Sequence, residues 1–149
     1  MEKLTPPRHR GQTLVEFALV IPVLLLLAVV IFDFGRAVYY YSAVQNAARE
    51  GARFGAVTID PYAPEGVIRA YIDGMVSAAE NRAIGLSGLT IIAGMGTPEI
   101  VGGYANPTVK VTVTYTFIPA TPIVANFISG GVITLKSEAV MRTEWLPRN

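Results

Sequence analysis

Residues 14–34 read LVEFALVIPVLLLLAVVIFDF, and this stretch decides the architecture of the chain. No charged residue lies between positions 17 and 32. At about 1.5 Å per residue, an α-helix over residues 14–34 would be roughly 32 Å long, which is about the thickness of the hydrocarbon core of a bilayer. Pro22 is compatible with such a helix, since transmembrane helices tolerate proline. The stretch predicts a transmembrane helix, because a core helix of a soluble domain is rarely apolar on every face.

The composition of the whole chain excludes several classes of protein. Of its 149 residues, 52% are hydrophobic and only 15% are charged, whereas an ordinary soluble domain carries about 25% charged residues. This composition excludes intrinsic disorder. A net charge of +1 provides no electrostatic signature for binding nucleic acid, and the absence of cysteine excludes disulfides and thiol catalysis. The length allows one small domain beside the apolar stretch.

The residues that flank the apolar stretch bear on its processing and orientation. A conventional signal peptide ends at a small-x-small cleavage site, but residues 32–36 read FDFGR, so conventional cleavage after the stretch is not expected. Lysine and arginine are balanced on the two sides and do not decide the orientation. The dense cluster Arg8-His9-Arg10 favours a cytoplasmic N-terminus.

Glu16 is a carboxylate just inside the apolar stretch, where a charge costs free energy. One interpretation is that it marks the start of the helix, because an acidic residue suits the positive end of the helix macrodipole. The other interpretation is functional, since an ionisable residue in a transmembrane segment is a functional candidate by default. The neighbouring residues favour the second interpretation: Gly11 follows Arg8-His9-Arg10, and Glu16 lies five positions after that glycine.

The segment RHR-G-QTLVE, followed by the apolar run, resembles the processing site of type IV prepilins. The resemblance implies that a prepilin peptidase cuts on the cytoplasmic side after Gly11, so that Gln12 begins the mature chain and Glu16 is its fifth residue. A small residue before the scissile bond lets a peptidase approach the backbone. The Glu16 carboxylate could then pair with the free N-terminal amine of a neighbouring subunit and set the register of an otherwise apolar bundle.

The helix is predicted to continue beyond the membrane to about residue 56, because no helix breaker occurs before Gly51. Three tyrosines at residues 39–41 are an expected aromatic anchor at the membrane interface. Ala47, Gly51 and Gly55 form a row of small residues at spacings of four, which would let a second backbone approach closely. The row predicts either packing on the chain's own domain or packing against neighbouring subunits.

Three blocks of sequence now resemble one family. They are GQTLVEFALVIP at residues 11–22, FDFGRA at residues 32–37 and NAAREGARFGA at residues 46–56. In this order they resemble the TadE-like family, the pseudopilins or minor pilins of tight-adherence (Flp-type) pilus machines. The resemblance is strong over the first third of the chain and weaker beyond it. It implies a structural rather than a catalytic role.

The distal part of the chain reads as a mixture of helix and strand. Residues 60–64, DPYAP, are a turn-rich break, after which apolar residues at helical spacing predict a second helix over residues 65–82. Alternation of valine or aromatic residues with threonine or lysine predicts a half-buried strand over residues 108–118. The other expected elements are strands over 89–93 and 132–145, a loop or hairpin connection over 94–107, and a helical turn or short strand over 123–128.

These elements predict an α+β fold that is pilin-like in outline. A long N-terminal helix spans the membrane and continues as a stalk, and it carries a small antiparallel sheet with a second short helix. The predicted organisation is a basic leader (1–11), a transmembrane helix (12–36), a helical stalk (37–56) and an extracytoplasmic α+β domain (57–149).

Catalytic chemistry is not expected. The only histidine is His9, in the predicted leader, so a Ser-His-Asp arrangement and a histidine-based metal site are excluded for the distal domain. The sequence contains neither a P-loop nor a complete dinucleotide-binding motif, and its distal acidic residues are scattered. We therefore expect no enzyme activity, no catalytic residues, no cofactor and no metal.

The sequence leads to one hypothesis and two alternatives. The hypothesis is a TadE-like pseudopilin or minor pilin of the bacterial inner membrane, a structural or assembly component of a tight-adherence pilus or secretion system. Its expected partners are membrane lipid, a prepilin peptidase and other pilin-like subunits, in a hetero- or homo-oligomer. The first alternative is an uncleaved single-pass membrane protein whose extracytoplasmic domain binds a target at the cell surface. The second is a membrane-tethered enzyme.

Overall fold

The computed structural model describes residues 10–144, and its first element is the helix α1 (Arg10–Thr58). Its 49 residues correspond to a length of roughly 74 Å at about 1.5 Å per residue. Pro22 lies inside α1 without ending it. A window of 18 residues in its apolar half has a mean hydropathy of 3.0, and none of that window is buried inside the described chain. By length and composition, this helix can cross a membrane.

The C-terminal half of α1 is the central element of the folded domain. A turn reverses the chain after α1, and the Asp60 carboxylate accepts a hydrogen bond from the Tyr62 N–H (2.9 Å) in that turn. The helix α2 (Glu65–Arg82) then packs antiparallel on α1. Its bounds are those that the helical spacing of the sequence predicts.

Five strands follow: β1 (Thr90–Met95), β2 (Glu99–Val101), β3 (Tyr104–Asn106), β4 (Thr108–Phe117) and β5 (Ile133–Arg142). The strands β1, β4 and β5 form an antiparallel sheet in that spatial order, with β4 in the centre. The strands β2 and β3 form a separate hairpin. Gly102 and Gly103 turn this hairpin with φ angles of 59° and 84°, a left-handed conformation that favours glycine.

A short helix, α3 (Pro122–Phe127), and a 3₁₀ turn (Ser129–Gly131) connect β4 to β5. Because β4 runs opposite to α1, this connection lies at the end of the sheet nearest the apolar half of α1, which we call the proximal end. Phe117, the last residue of β4, packs on Tyr40 with 5.7 Å between ring centroids. At the distal end of the sheet, the Glu144 N–H donates to the Ala56 carbonyl (2.8 Å).

The core lies between one face of the sheet, the C-terminal half of α1 and α2. In β4 the valines and Phe117 point into this core, as their alternation with polar residues predicts. In β5 the odd-numbered residues are the less exposed ones, also as predicted. The buried apolar residues of the described chain that form this cluster are Val44, Ala47, Ala48, Ala52, Ala56, Ile59, Met75, Ala79, Ala83, Val109, Val111, Val113 and Ala139.

The other face of the sheet is less exposed at its centre than the simple alternation predicts. Thr108 and Thr112 are buried, although the pattern assigns them to the wet face. The reason is that β4 is flanked on both sides, and the Thr112 hydroxyl donates to the Glu138 carboxylate on β5 (3.4 Å). Glu138 also pairs with Lys110 at 2.8 Å, and the hydrogen bond from Lys110 lowers the pKa of this carboxyl.

The observed architecture confirms the predicted fold class, with a long apolar helix, a second helix and a small antiparallel sheet. The structure adds the β2–β3 hairpin within the predicted connection, and it shows that the ambiguous segment near residue 125 is helical. Most of the predicted leader, residues 1–9, and the end of the last predicted strand, beyond residue 144, lie outside the described residues.

Gly51 is required by a close approach between α1, α2 and β4. A Cβ atom at this position would lie 2.8 Å from the Met75 carbonyl oxygen, 3.1 Å from the Ala79 Cβ and 3.3 Å from the Val111 Cγ1. The nearest of these atoms belongs to the backbone of α2, which cannot move aside as a flexible side chain can. The glycine therefore sets the distance between the two helices.

We expect Gly51→Ala to lower the free energy of unfolding by up to about 2 kcal/mol, because overpacking costs about 1–3 kcal/mol and alanine recovers about 1 kcal/mol in a helix. Thermal unfolding of the purified full chain in detergent, followed by circular dichroism, measures the change. Gly66→Ala on α2 is the control, since a Cβ there meets no atom within 4 Å. A G51A variant that melts no lower than G66A would contradict the close-approach argument.

Candidate functional site

Asp33 is a buried carboxylate at the end of the apolar run of α1, with only 3% of its surface exposed. Its Oδ1 accepts a hydrogen bond from the Ala120 N–H (2.9 Å), and its Oδ2 accepts one from the Thr121 N–H (3.1 Å). The Thr121 hydroxyl also donates to Oδ2. These bonds join α1 to the bend that follows β4, across 87 positions of sequence.

Arg36 completes the surroundings of Asp33 from the next turn of α1. Its Nη1 lies 3.2 Å from the Asp33 Oδ1, and its guanidinium lies 5.4 Å from the centre of the Phe117 ring and 5.6 Å from that of Tyr40. Tyr40 in turn packs edge-on against Tyr115 at 5.5 Å. The Asp33–Arg36 ion pair therefore lies against aromatic rings at the proximal end of the sheet.

Both oxygens of the Asp33 carboxylate are occupied by donors from the protein itself. A carboxylate taken out of water is costly unless it is paired and hydrogen-bonded. Here two backbone N–H groups, one hydroxyl and one guanidinium replace the lost hydration. The arrangement suits a charge that lies at the boundary of an apolar medium.

In the sequence, Asp33 is only an acidic residue at the end of the apolar run, and this position does not indicate the contact. The available signal is the one that draws attention to Glu16, an acidic residue at the edge of a transmembrane segment. The partner segment around Thr121 gives no comparable signal, because hydrogen bonds from a backbone N–H depend on the fold and not on the residue type.

Gly11 and Gln12 lie in the first turn of α1, and both are exposed. A Cβ at Gly11 would meet no atom within 4 Å. No contact with the described residues therefore requires a glycine at this position, and its peptide bond to Gln12 lies on the surface of the helix.

Glu16 lies one turn after Gln12 and is exposed on α1. The Gln12 side-chain amide donates to the Glu16 carboxylate at 3.4 Å, within the same helix. A contact between Glu16 and another subunit is therefore sterically open.

The row of small residues lies inside the chain's own core. Ala47 and Gly51 are buried, and Gly55 faces α2, where a Cβ would lie 2.6 Å from the Met75 sulfur.

Of the three tyrosines that follow the apolar run, Tyr39 and Tyr41 are exposed, whereas Tyr40 turns towards the sheet. The two exposed rings can serve as an interfacial anchor.

Among residues 10–144, no group of three or more histidine, cysteine, aspartate or glutamate side chains lies close enough to hold a metal ion.

The charged contacts of this part of the chain are short-range ion pairs on helices and across the sheet, such as Arg53 with Glu50 at 2.6 Å. Arg53 donates a hydrogen bond that lowers the pKa of Glu50.

We expect Asp33→Ala to lower the melting temperature of the detergent-solubilised chain by at least about 5 °C, because two backbone N–H groups and Arg36 lose their acceptor. Asp73→Ala is the matched control, since Asp73 is an exposed aspartate on α2. Equal melting temperatures for the two variants would show that the Asp33 contact does not hold the sheet to α1.

Comparison with known proteins agrees with the N-terminal features. Residues 11–53 match the family model of TadE-like protein. No curated protein and no solved structure matches the chain significantly. The matched segment contains Gly11, Glu16 and the Asp33–Arg36 pair, and it ends inside α1 before α2 and the sheet begin. Over residues 11–53, the chain is therefore similar to the TadE-like family.

Proposed function

We propose that this protein is a membrane pseudopilin or minor pilin that acts as a structural or assembly component of a bacterial tight-adherence pilus or secretion machine. The observation that carries the proposal is the apolar half of α1, which the described part of the chain leaves exposed from Gly11 through Phe32, with Ile21 alone half-buried. The match of residues 11–53 to the TadE-like family supports the assignment to a tight-adherence pilus machine.

An apolar helix surface of this extent requires an apolar environment. A bilayer provides one such environment, and the apolar helices of neighbouring subunits provide another. A pilin-like subunit uses both in turn, first as a membrane protein and then as a member of a helix bundle. Both environments require a helix that is apolar on every face. Residues 17–32 have this property.

In the membrane stage, the N-terminus lies in the cytoplasm and the folded domain lies outside the inner membrane. The basic cluster at residues 8–10 favours this orientation. The partners in this stage are membrane lipid and a prepilin peptidase, followed by other pilin-like subunits once the chain enters an assembly. No catalytic role is proposed for the chain itself.

Processing after Gly11 is the first step of this scheme. The open surroundings of Gly11 support it, because a peptidase can reach this backbone and because the fold itself does not demand a glycine. Cleavage would remove the basic leader and leave the amine of Gln12 at the start of an apolar helix.

We expect the chain purified from membranes of cells that carry a prepilin peptidase to begin at Gln12, and Gly11→Leu to begin at Met1. N-terminal sequencing and intact mass measure both. Gly35→Leu is the control, since a Cβ at Gly35 also meets no atom within 4 Å, and it should be processed normally. A native chain that keeps Met1 in these cells would defeat the pilin scheme and favour an uncleaved membrane anchor.

Glu16 provides the second step, the contact between subunits. Its exposure on α1 leaves the carboxylate accessible to another chain, and inside an apolar bundle an unpaired carboxylate would be strongly unfavourable. A pair between Glu16 and the Gln12 amine of a neighbour would remove that cost. It would also fix the axial register, which apolar contacts alone specify poorly.

We expect Glu16→Gln to insert into the membrane as the native chain does and to reduce its recovery in assembled pili or co-purified oligomers by at least about tenfold, because one partner of a buried ion pair is lost. Membrane fractionation measures insertion, and cross-linking measures assembly. Glu65→Gln, at an exposed ion pair on α2, is the matched control. Native-like assembly of E16Q would remove the amine-pairing role from the scheme.

A further inference from the structure

The chain has a second long segment without charge, and it lies next to the first. Between Lys110 and Lys136 the sequence contains no charged residue. This segment includes most of β4, α3, the 3₁₀ turn and the start of β5. Its middle, residues 118–132, forms the connection at the proximal end of the sheet, and we call it the proximal loop.

The proximal loop presents apolar side chains at its surface. Ile118 is 63% exposed and Val132 is 38% exposed, and these two residues lie at the two ends of the loop. Pro122, the first residue of α3, is exposed as well. Asn126 adds an exposed amide, which is polar but carries no charge and can hydrogen-bond to lipid headgroups. The exposed side chains of the described part of this loop are therefore apolar or uncharged, a composition that is compatible with the boundary of headgroups and acyl chains.

Three backbone N–H groups of the proximal loop find their acceptors within the loop, and the N–H groups of Ala120 and Thr121 donate to Asp33. The N–H groups of Ala125, Ile128 and Gly131 donate to carbonyls three or four residues earlier, at 2.9–3.2 Å. A segment in contact with hydrocarbon requires such internal satisfaction of its backbone groups, because no water is present to replace it.

The contacts of Asp33 set the height of the proximal loop along α1. Ala120 and Thr121 lie level with Asp33. Val124 of α3 lines an apolar cleft of about 160 Å³, and the residues of α1 in that cleft extend from Val30 to Ala37. Val30 belongs to the uncharged run and precedes Phe34 by about 6 Å of helix rise. The loop therefore lies beside the last turn of the predicted membrane span.

We propose that the proximal loop inserts into the outer interface of the bilayer beside α1, so that the folded domain rests on the lipid surface. The partner is a bilayer rather than a second protein, because the apolar surface of the loop is continuous with that of a helix that already lies in the membrane. Its lack of charge over the whole connection, together with a buried and fully paired Asp33, suits a low-dielectric medium. The inference rests on the membrane anchoring of α1 in the proposed function.

The insertion has a consequence for assembly. A subunit that leaves the membrane must withdraw the loop as well as the helix. The apolar surface of the loop must then be buried against other subunits in the pilus. The loop would also fix the tilt of the domain, because α1 and the loop together make two points of contact with the bilayer.

Tryptophan fluorescence in reconstituted vesicles tests this arrangement with the full chain. All variants carry Trp145→Phe, which removes the single native tryptophan. One tryptophan is then introduced in the loop by Ile118→Trp or Val132→Trp, in the span by Leu25→Trp, or on the distal hairpin by Tyr104→Trp. Tyr104 is 79% exposed and lies at the opposite end of the sheet. The vesicles consist of phosphatidylcholine that is unmodified, brominated near the top of the acyl chains to detect the loop, or brominated near the ends of the acyl chains to detect Leu25 at the middle of the span.

An interfacial segment lies roughly 5–10 Å into the boundary of headgroups and acyl chains, so bromine should remove about half of the emission of I118W and V132W and leave Y104W unchanged. Quenching of L25W without quenching of either loop variant would overturn the loop proposal and leave the anchor intact. Absence of quenching in L25W would instead refute the anchor. Loop emission that is shielded only at high protein-to-lipid ratio would assign the surface to a second copy and overturn the lipid proposal.

Discussion

The hydrogen-bonded carboxylate of Asp33 is the interaction on which the geometry of the molecule depends. It ties a point at the end of the apolar run to the bend after β4. The contacts of α1 with the sheet reach Tyr40 through its packing on Tyr115 and Phe117, and the Asp33 contact extends the attachment about two turns further along α1. A neutral side chain could not accept four hydrogen bonds at once, and the acid is therefore specific to the role.

Two requirements divide α1 into two parts with different sequence. The first part is apolar on every face, and the described part of the chain leaves this surface exposed. The second part needs small residues on one face, because α2 and β4 approach it closely at Gly51 and Gly55. One continuous helix meets both requirements, so no linker separates the apolar run from the folded domain.

The elements that could be predicted are those with strong periodicity. The bounds of α2 and the faces of β4 and β5 follow from side-chain spacing, because each element buries one face against the same core. The short elements stayed open between two alternatives in the sequence, since a hairpin such as β2–β3 and a six-residue helix such as α3 contain too few residues for a periodic pattern. The buried threonines of β4 depend on which strands flank it, and this is a property of the topology.

The sequence by itself determined the long apolar helix, the α+β class and the TadE-like segment, and it singled out Gly11 and Glu16, because hydrophobic periodicity, motif order and unusual neighbours are local properties. It indicated a close approach at Gly51 but left the partner open. The tertiary structure decided that α2 and β4 are that partner, that Asp33 holds the proximal end of the sheet, and that an uncharged loop lies beside the membrane span. The physical reason is that these contacts join residues far apart in sequence, through backbone groups whose direction is set only when the sheet has packed on α1.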